Sequence, residues 1–371
     1  MRHFGGRAGL LVLAAIVLLV GTTGYVGMGM WLYQRYQVSS GNYQFNPVAA
    51  CGVQITWSPP SRMFTAFYAN QPSLLDVRYS SSSPQPLRLT LSIPQFTQPQ
   101  SFDVHSGTNF QSQTFKPPLI SPGVLDTLVG PQYRDAQIVL SMRTASNRAC
   151  DLSRPVRLES RQLMRWTDDM GGDQSRYLAG WVTPQAGVIS ALVGRAAARL
   201  GQNPTTYTAA TALYGYNDGQ ASAQAVIDQV NAIFDTLQYD AHYQLHYVNE
   251  NIAYQQNTSE LIRLPADVLS SPAPTAMCVE TTAIMASAVE NIGLRPFIVI
   301  VPQHAFLGVA LGPGPGAPLA YWETSDLNGG VNGDQASVHG KSEYNQFQQR
   351  GQILRVIDIQ QQRQQGIEPI E

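Results

Sequence analysis

From Ala8 to Tyr33 the chain runs 26 residues without a charge, and Leu10 to Val20 is apolar throughout. A hydrocarbon core about 30 Å thick takes roughly 20 helical residues, so the pattern predicts a transmembrane helix with length to spare. Arg2 and Arg7 precede the run and Arg35 follows it. The positive-inside bias then places the N-terminus in the cytoplasm and the body outside it, with Trp31 and Tyr33 at the far interface. No Ala-x-Ala cleavage site follows, so a retained signal anchor over residues 1–36 is expected rather than a cleaved signal peptide. The expected location is the membrane, single-pass, with the body extracytoplasmic.

What lies beyond that segment is too long for one core, since 371 residues exceed the usual domain of about 100–200. Apolar residues at 44% and aromatics at 9% can fill cores even though only 13% of the chain is charged. A net charge of -2 leaves no positive excess to hold phosphates, so nucleic acid is excluded as a partner.

Residues 47–158 read as short strands separated by Pro, Ser and Gly: Gln54 to Trp57, Leu75 to Tyr79, Leu87 to Ile93, Gln137 to Met142 and Val156 to Leu158. Leu87, Leu89, Leu91 and Ile93 alternate with polar residues, the period of a strand buried on one face, and an antiparallel β-sandwich is expected. Of the three cysteines, Cys51 and Cys150 bracket this region. With the body outside the cytoplasm a disulfide between them is permitted and would close the domain, leaving Cys278 unpaired.

After Leu158 the composition turns toward helix formers, with apolar stripes over Gly187 to Leu200 and Ala221 to Leu237. A helical run from Cys278 to Asn291 closes at Gly293, and the β-branched run Phe297 to Val301 reads as a buried strand. His304 then opens a strand, Gly312 to Pro318 turns the chain, and Leu319 to Thr324 returns as a hairpin. Cys278 at a helix start sits where unpaired N–H groups and the dipole favour a thiolate. His304 at a strand edge can serve it as general base. The third member is an acid, and Glu323 and Asp326 both fold back opposite His304. Counting does not separate these two.

The ordered set of cysteine at a helix start, then strand, histidine on a strand and acid on the next resembles the transglutaminase-like superfamily of papain-like thiol enzymes. The likeness is carried by Arg263-Leu-Pro-Ala-Asp-Val-Leu269, Met277-Cys-Val-Glu280, Gly293-Leu-Arg-Pro296, Gln303-His-Ala-Phe-Leu-Gly308 and Trp322-Glu-Thr-Ser325. Weaker similarity to bacterial membrane-associated members reaches Trp181-Val-Thr-Pro184, Ile357-Asp-Ile359 and Gly366-Ile-Glu-Pro369, so the family region is expected over 160–371. The resemblance implies a papain-like α+β domain after the sandwich. It implies amide cleavage or acyl transfer through a thioester, on a protein or peptide substrate or an envelope polymer. It also favours Glu323, whose Glu-Thr pair ends the strand in those members, with Asp326 the alternative. The chain departs from the family in placing Ala276-Met277 before the cysteine, where a glycine and a small or polar residue are common. A catalytically inactive binding or assembly module at the cell envelope is the second expectation.

His242 and His246 have the spacing of paired zinc ligands on a helix, but no third ligand is evident and the interleaved Tyr and Leu suit a strand as well. Neither a metal nor a cofactor is expected.

Overall fold

Leu87, Leu89, Leu91 and Ile93 are buried while Arg88 is exposed, so the period-two pattern builds one wall of a core. The computed structural model describes residues 48–168, 171–254, 259–327 and 330–370. The first nine strands are β1 (Val48–Ala50), β2 (Val53–Trp57), β3 (Arg62–Phe64), β4 (Leu75–Ser80), β5 (Gln85–Ser92), β6 (Gln100–Ser106), β7 (Gln111–Phe115), β8 (Arg134–Thr144) and β9 (Ala149–Glu159). They form a four-stranded sheet in the order β1-β2-β4-β7 and a five-stranded sheet in the order β3-β9-β8-β5-β6. Both contribute to one apolar core, in which Val53, Ile55 and Val77 of the first meet Leu89, Leu91, Ile138 and Leu140 of the second. Pairing is antiparallel except for β3, which runs parallel to β9. Cys51, in the turn between β1 and β2, is disulfide-bonded to Cys150 at the start of β9, with Cα atoms 6.0 Å apart. The bond ties one sheet to the other.

One component of the expected architecture is overturned. The apolar run predicts a transmembrane helix, but among the described residues no helix is long and apolar enough to cross a membrane. The run itself, residues 8–33, lies outside the described residues. Two of the longer helices span only 17 residues and carry polar side chains, short of the roughly 20 apolar residues a bilayer core takes. The described chain is α+β with several sheets.

The rest of the chain comprises β10 (Leu163–Arg165), α1 (Gly187–Gln202), α2 (Ala223–Tyr239), β11 (His246–Tyr247), β12 (Ser259–Leu261), α3 (Pro265–Leu269), β13 (Thr275–Ala276), α4 (Cys278–Asn291), β14 (Pro296–Val301), β15 (His304–Ala310), β16 (Leu319–Trp322), α5 (Gly333–Gln349), β17 (Arg355–Asp358) and α6 (Ile359–Gln364). Its main sheet is antiparallel in the order β16-β15-β14-β17. One face, bearing Ile298, Ile300, Leu307 and Trp322, packs in the same core as α4, α1 and α2. The other, bearing Val299, Val301, Phe306 and Tyr321, meets Tyr344 and Phe347 of α5. Sheet residues buried on both sides explain why Phe297 to Val301 reads as unbroken apolar sequence.

Helix α2 buries polar residues as well as its apolar stripe, and each has a partner. Asp228 accepts from the Ala209 and Ala210 N–H groups and Gln229 from those of Tyr214 and Gly215, which fixes the long loop before it. Asn231 accepts from the Trp322 indole N–H at 2.8 Å and donates to Asp334, while Asp235 accepts from the Gly333 N–H. The start of α5 and the end of β16 are thereby held together. Gly293, at φ 81°, ends α4 with Leu294 N–H bonded back to Val289.

The two cores meet at a seam. Phe67, in the turn after β3, stacks on Tyr177 with ring centroids 4.6 Å apart and meets Trp181 edge-on. Across the same boundary Asn70 and Glu368 exchange two hydrogen bonds.

Candidate active site

Cys278 is the first residue of α4, preceded by Met277 in extended conformation. Neither Ala276 nor Met277 can cap a helix through its side chain, so the turn is fixed from elsewhere. Glu280, buried two residues after the cysteine, accepts from the Met277 N–H and pairs with Arg263 through both carboxylate oxygens. Arg263 also donates to the Thr275 carbonyl at 2.7 Å, closing the segment that delivers Cys278.

His304 opens β15, and its Nε2 lies 2.9 and 3.0 Å from the two carboxylate oxygens of Glu323. Cys278 is the other side chain that acts on the ring's charge. The β15–β16 register explains which acid it meets. Leu307 stands opposite Trp322 and Gly308 opposite Tyr321, and opposed residues share a face. His304 and Phe306 therefore share a parity with Tyr321 and Glu323, while Asp326 has the other. Asp326 instead lies 2.7 Å from Nδ1 of His339 on α5.

Buried threonines tie the three contributing segments to one another. Thr281 and Thr282 both donate to the Cys278 carbonyl, at 2.9 and 2.7 Å, and both lie 3.0 Å from the Thr324 hydroxyl. The Thr282 hydroxyl is also 3.3 Å from the Ala305 carbonyl. Cys278, the neighbour of His304 and the neighbour of Glu323 are thus held by one hydroxyl knot, all three threonines being fully buried.

Burial opposes the charge on His304, but Cys278 and Glu323 outweigh it and raise the imidazole to about 10. Burial likewise opposes the Glu323 charge, yet His304, Glu343 and the Ser325 N–H bring it down to about 2. Glu343 of α5 goes the other way, to about 8, through burial and the adjacent Glu323 carboxylate. Tyr247 on β11 is pushed up to about 12 by burial and then by Cys278, Glu323 and Glu343.

Of the residues singled out in the sequence, Cys278, His304 and Glu323 come together. Cys278 has no exposed surface, and 17% of the His304 side chain is exposed. His246 lies in β11, and the His242 ring packs edge-on against Tyr243, with centroids 4.8 Å apart. The three-ligand grouping among the described residues is instead His304, Glu323 and Glu343, whose ligand atoms lie within 4.8 Å of one another. Glu343 was not legible as a site residue by spacing to a motif. Its signal is a polar residue on the stripe of small residues Gly333, Ala336 and Gly340, the buried face of α5.

No protein-family model matches the chain, and no curated protein matches it in sequence.

Proposed function

We propose that the protein is a thiol-dependent amide hydrolase or acyl transferase of the transglutaminase-like kind. In this reading Cys278 is the nucleophile, His304 the general base and acid, and Glu323 the group that orients the imidazole. The observation that carries it is a histidine whose Nε2 meets both oxygens of a buried carboxylate, on a strand that the Thr282 hydroxyl links to the carbonyl of the helix-start cysteine. With Nε2 occupied, Nδ1 is the ring nitrogen that serves the sulfur. His304 takes the thiol proton and the sulfur attacks the carbonyl carbon of a protein or peptide amide. The negative charge on the tetrahedral oxygen falls near the Cys278 backbone N–H, which as the first of α4 has no intrahelical acceptor. His304 returns the proton to the departing amine as the C–N bond breaks, leaving a thioester. Water or a second amine then attacks the thioester, giving its proton to His304, and the thiol is restored.

A second reading, a module that binds without turnover, is favoured by the full burial of the Cys278 side chain. Iodoacetamide alkylation separates the two. The enzyme reading expects alkylation of Cys278 well below about pH 8, slowed about tenfold or more in His304→Ala. Alkylation that rises only around the ordinary thiol value of about 8.5, with His304→Ala indistinguishable, would establish the binding module instead.

A further inference from the structure

The thiol chemistry gives Glu343 no part, yet α5 carries it into the site. A Cβ on Gly340 would lie 2.8 Å from the backbone nitrogens of Trp322 and Glu323 and from the Trp322 carbonyl carbon, so only glycine allows α5 this close to the triad acid. The Glu323 N–H donates to the Ala336 carbonyl at 3.0 Å, and Tyr344 stacks on Tyr321 with centroids 4.0 Å apart. Glu343 stands one turn beyond Gly340, on the face so pinned. The ligand atoms of His304, Glu323 and Glu343 thereby lie within 4.8 Å of one another, and Nε2 is the His304 nitrogen that faces Glu323. Glu323 is buried, and His304 and Glu343 are half-buried. Among the described residues the ion pair of Glu323 is with His304, and no Arg or Lys pairs with either glutamate. Two carboxylates and a neutral imidazole carry the charge that a divalent cation cancels, and the ring nitrogen supplies the ligand that an acidic patch lacks.

We propose that His304, Glu323 and Glu343 form a binding site for a divalent ion of the zinc class, and that the bound ion switches the thiol off. As a control device it rests on the thiol-enzyme reading. Four-coordinate zinc with bonds of about 2.0–2.2 Å sets its ligand atoms about 3.4 Å apart. The Nε2 to carboxylate separations of 2.9 and 3.0 Å need open only slightly. Rotation of the Glu343 side chain closes the rest, leaving the fourth position to water. Zinc bonds through the Nε2 lone pair. The Nε2 proton leaves, to solvent from an imidazolium or to Nδ1 from a neutral ring, so the ring's one proton sits on Nδ1. That nitrogen then offers no lone pair to the thiol proton, and the ring carries no charge to hold a thiolate. Magnesium and calcium, which take oxygen ligands in larger number, do not suit this set. The 17% of the His304 side chain that is exposed gives the ion its way in.

The experiment titrates the untagged full chain, Glu343→Gln and His304→Ala with Zn2+ by calorimetry and with Co2+ by absorption. It also follows iodoacetamide alkylation of Cys278 with zinc or with a chelator, each protein compared with its own chelated rate. The parent should bind zinc, alkylate about tenfold or more slowly with it, and give visible Co2+ bands without a thiolate-to-cobalt charge-transfer band. Glu343→Gln and His304→Ala should each weaken zinc binding about tenfold or more, and millimolar magnesium or calcium should not protect the thiol. A parent that binds no zinc, unchanged zinc affinity in Glu343→Gln, a thiolate-to-cobalt band, or equal protection by magnesium overturns the proposal. If Glu343→Gln does not fold, the cobalt spectrum of the parent decides. Failure of the enzyme reading is seen separately: chelated His304→Ala that alkylates like the chelated parent sinks that reading, while zinc affinity and the cobalt spectrum still decide the metal site.

Discussion

His304 and Glu323 are shifted in opposite directions, and the sign of each fixes how the site contributes to stability. His304 is raised from 6.5 to about 10, so its contribution is fully present below 6.5 and is lost as pH rises through about 10. Glu323 is lowered from 4.5 to about 2, so its contribution is present above 4.5 and is lost as pH falls through about 2. Glu343, raised from 4.5 to about 8, loses its contribution as pH rises through that interval, reinforcing the alkaline decline of His304. The thermal midpoint should therefore fall between pH 6.5 and 10, and His304→Ala should flatten the fall. A parent midpoint that holds level across that interval would contradict the charged pair.

At the level of elements, the site depends on α5 lying against β16 at a distance only Gly340 permits. Alanine in an exposed helix interior normally stabilises by about 0.5–1 kcal/mol over glycine. Here its methyl meets backbone rather than a flexible side chain, so Gly340→Ala should instead cost about 1–3 kcal/mol. Denaturant unfolding measures this, and a variant more stable than its parent would show that the helix does not dock as described. The sequence reading follows the same division of scale. Helix starts, the buried strand and the hairpin are legible because apolar period and turn chemistry are local properties. The choice between Glu323 and Asp326 is not, because it depends on the parity of the β15–β16 pairing, and a loop from Leu311 to Pro318 leaves that parity open. Arg263 and Glu280 show the same limit: both stand in the segments that carry the family likeness, yet their pairing across 17 positions appears only in three dimensions.

For the whole molecule, the seam decides whether the two cores behave as separate units. Phe67 belongs in sequence to the sandwich but is buried with Tyr177, Trp181 and Met164 in the core that contains α4. Phe67→Ala should cost about 3–5 kcal/mol, as for a buried phenylalanine elsewhere. Its effect should appear in one unfolding transition seen alike by far-ultraviolet circular dichroism and by tryptophan fluorescence, since shared packing couples the cores. Two transitions, with only the sandwich affected, would show that the aromatic contact does not link them.

The disulfide has a practical consequence. Cys51 and Cys150 occupy each other, and the sequence holds one further cysteine. A thiol-specific dye added to non-reduced protein can therefore mark position 278 alone, and its uptake under native conditions reports how often that buried side chain becomes accessible.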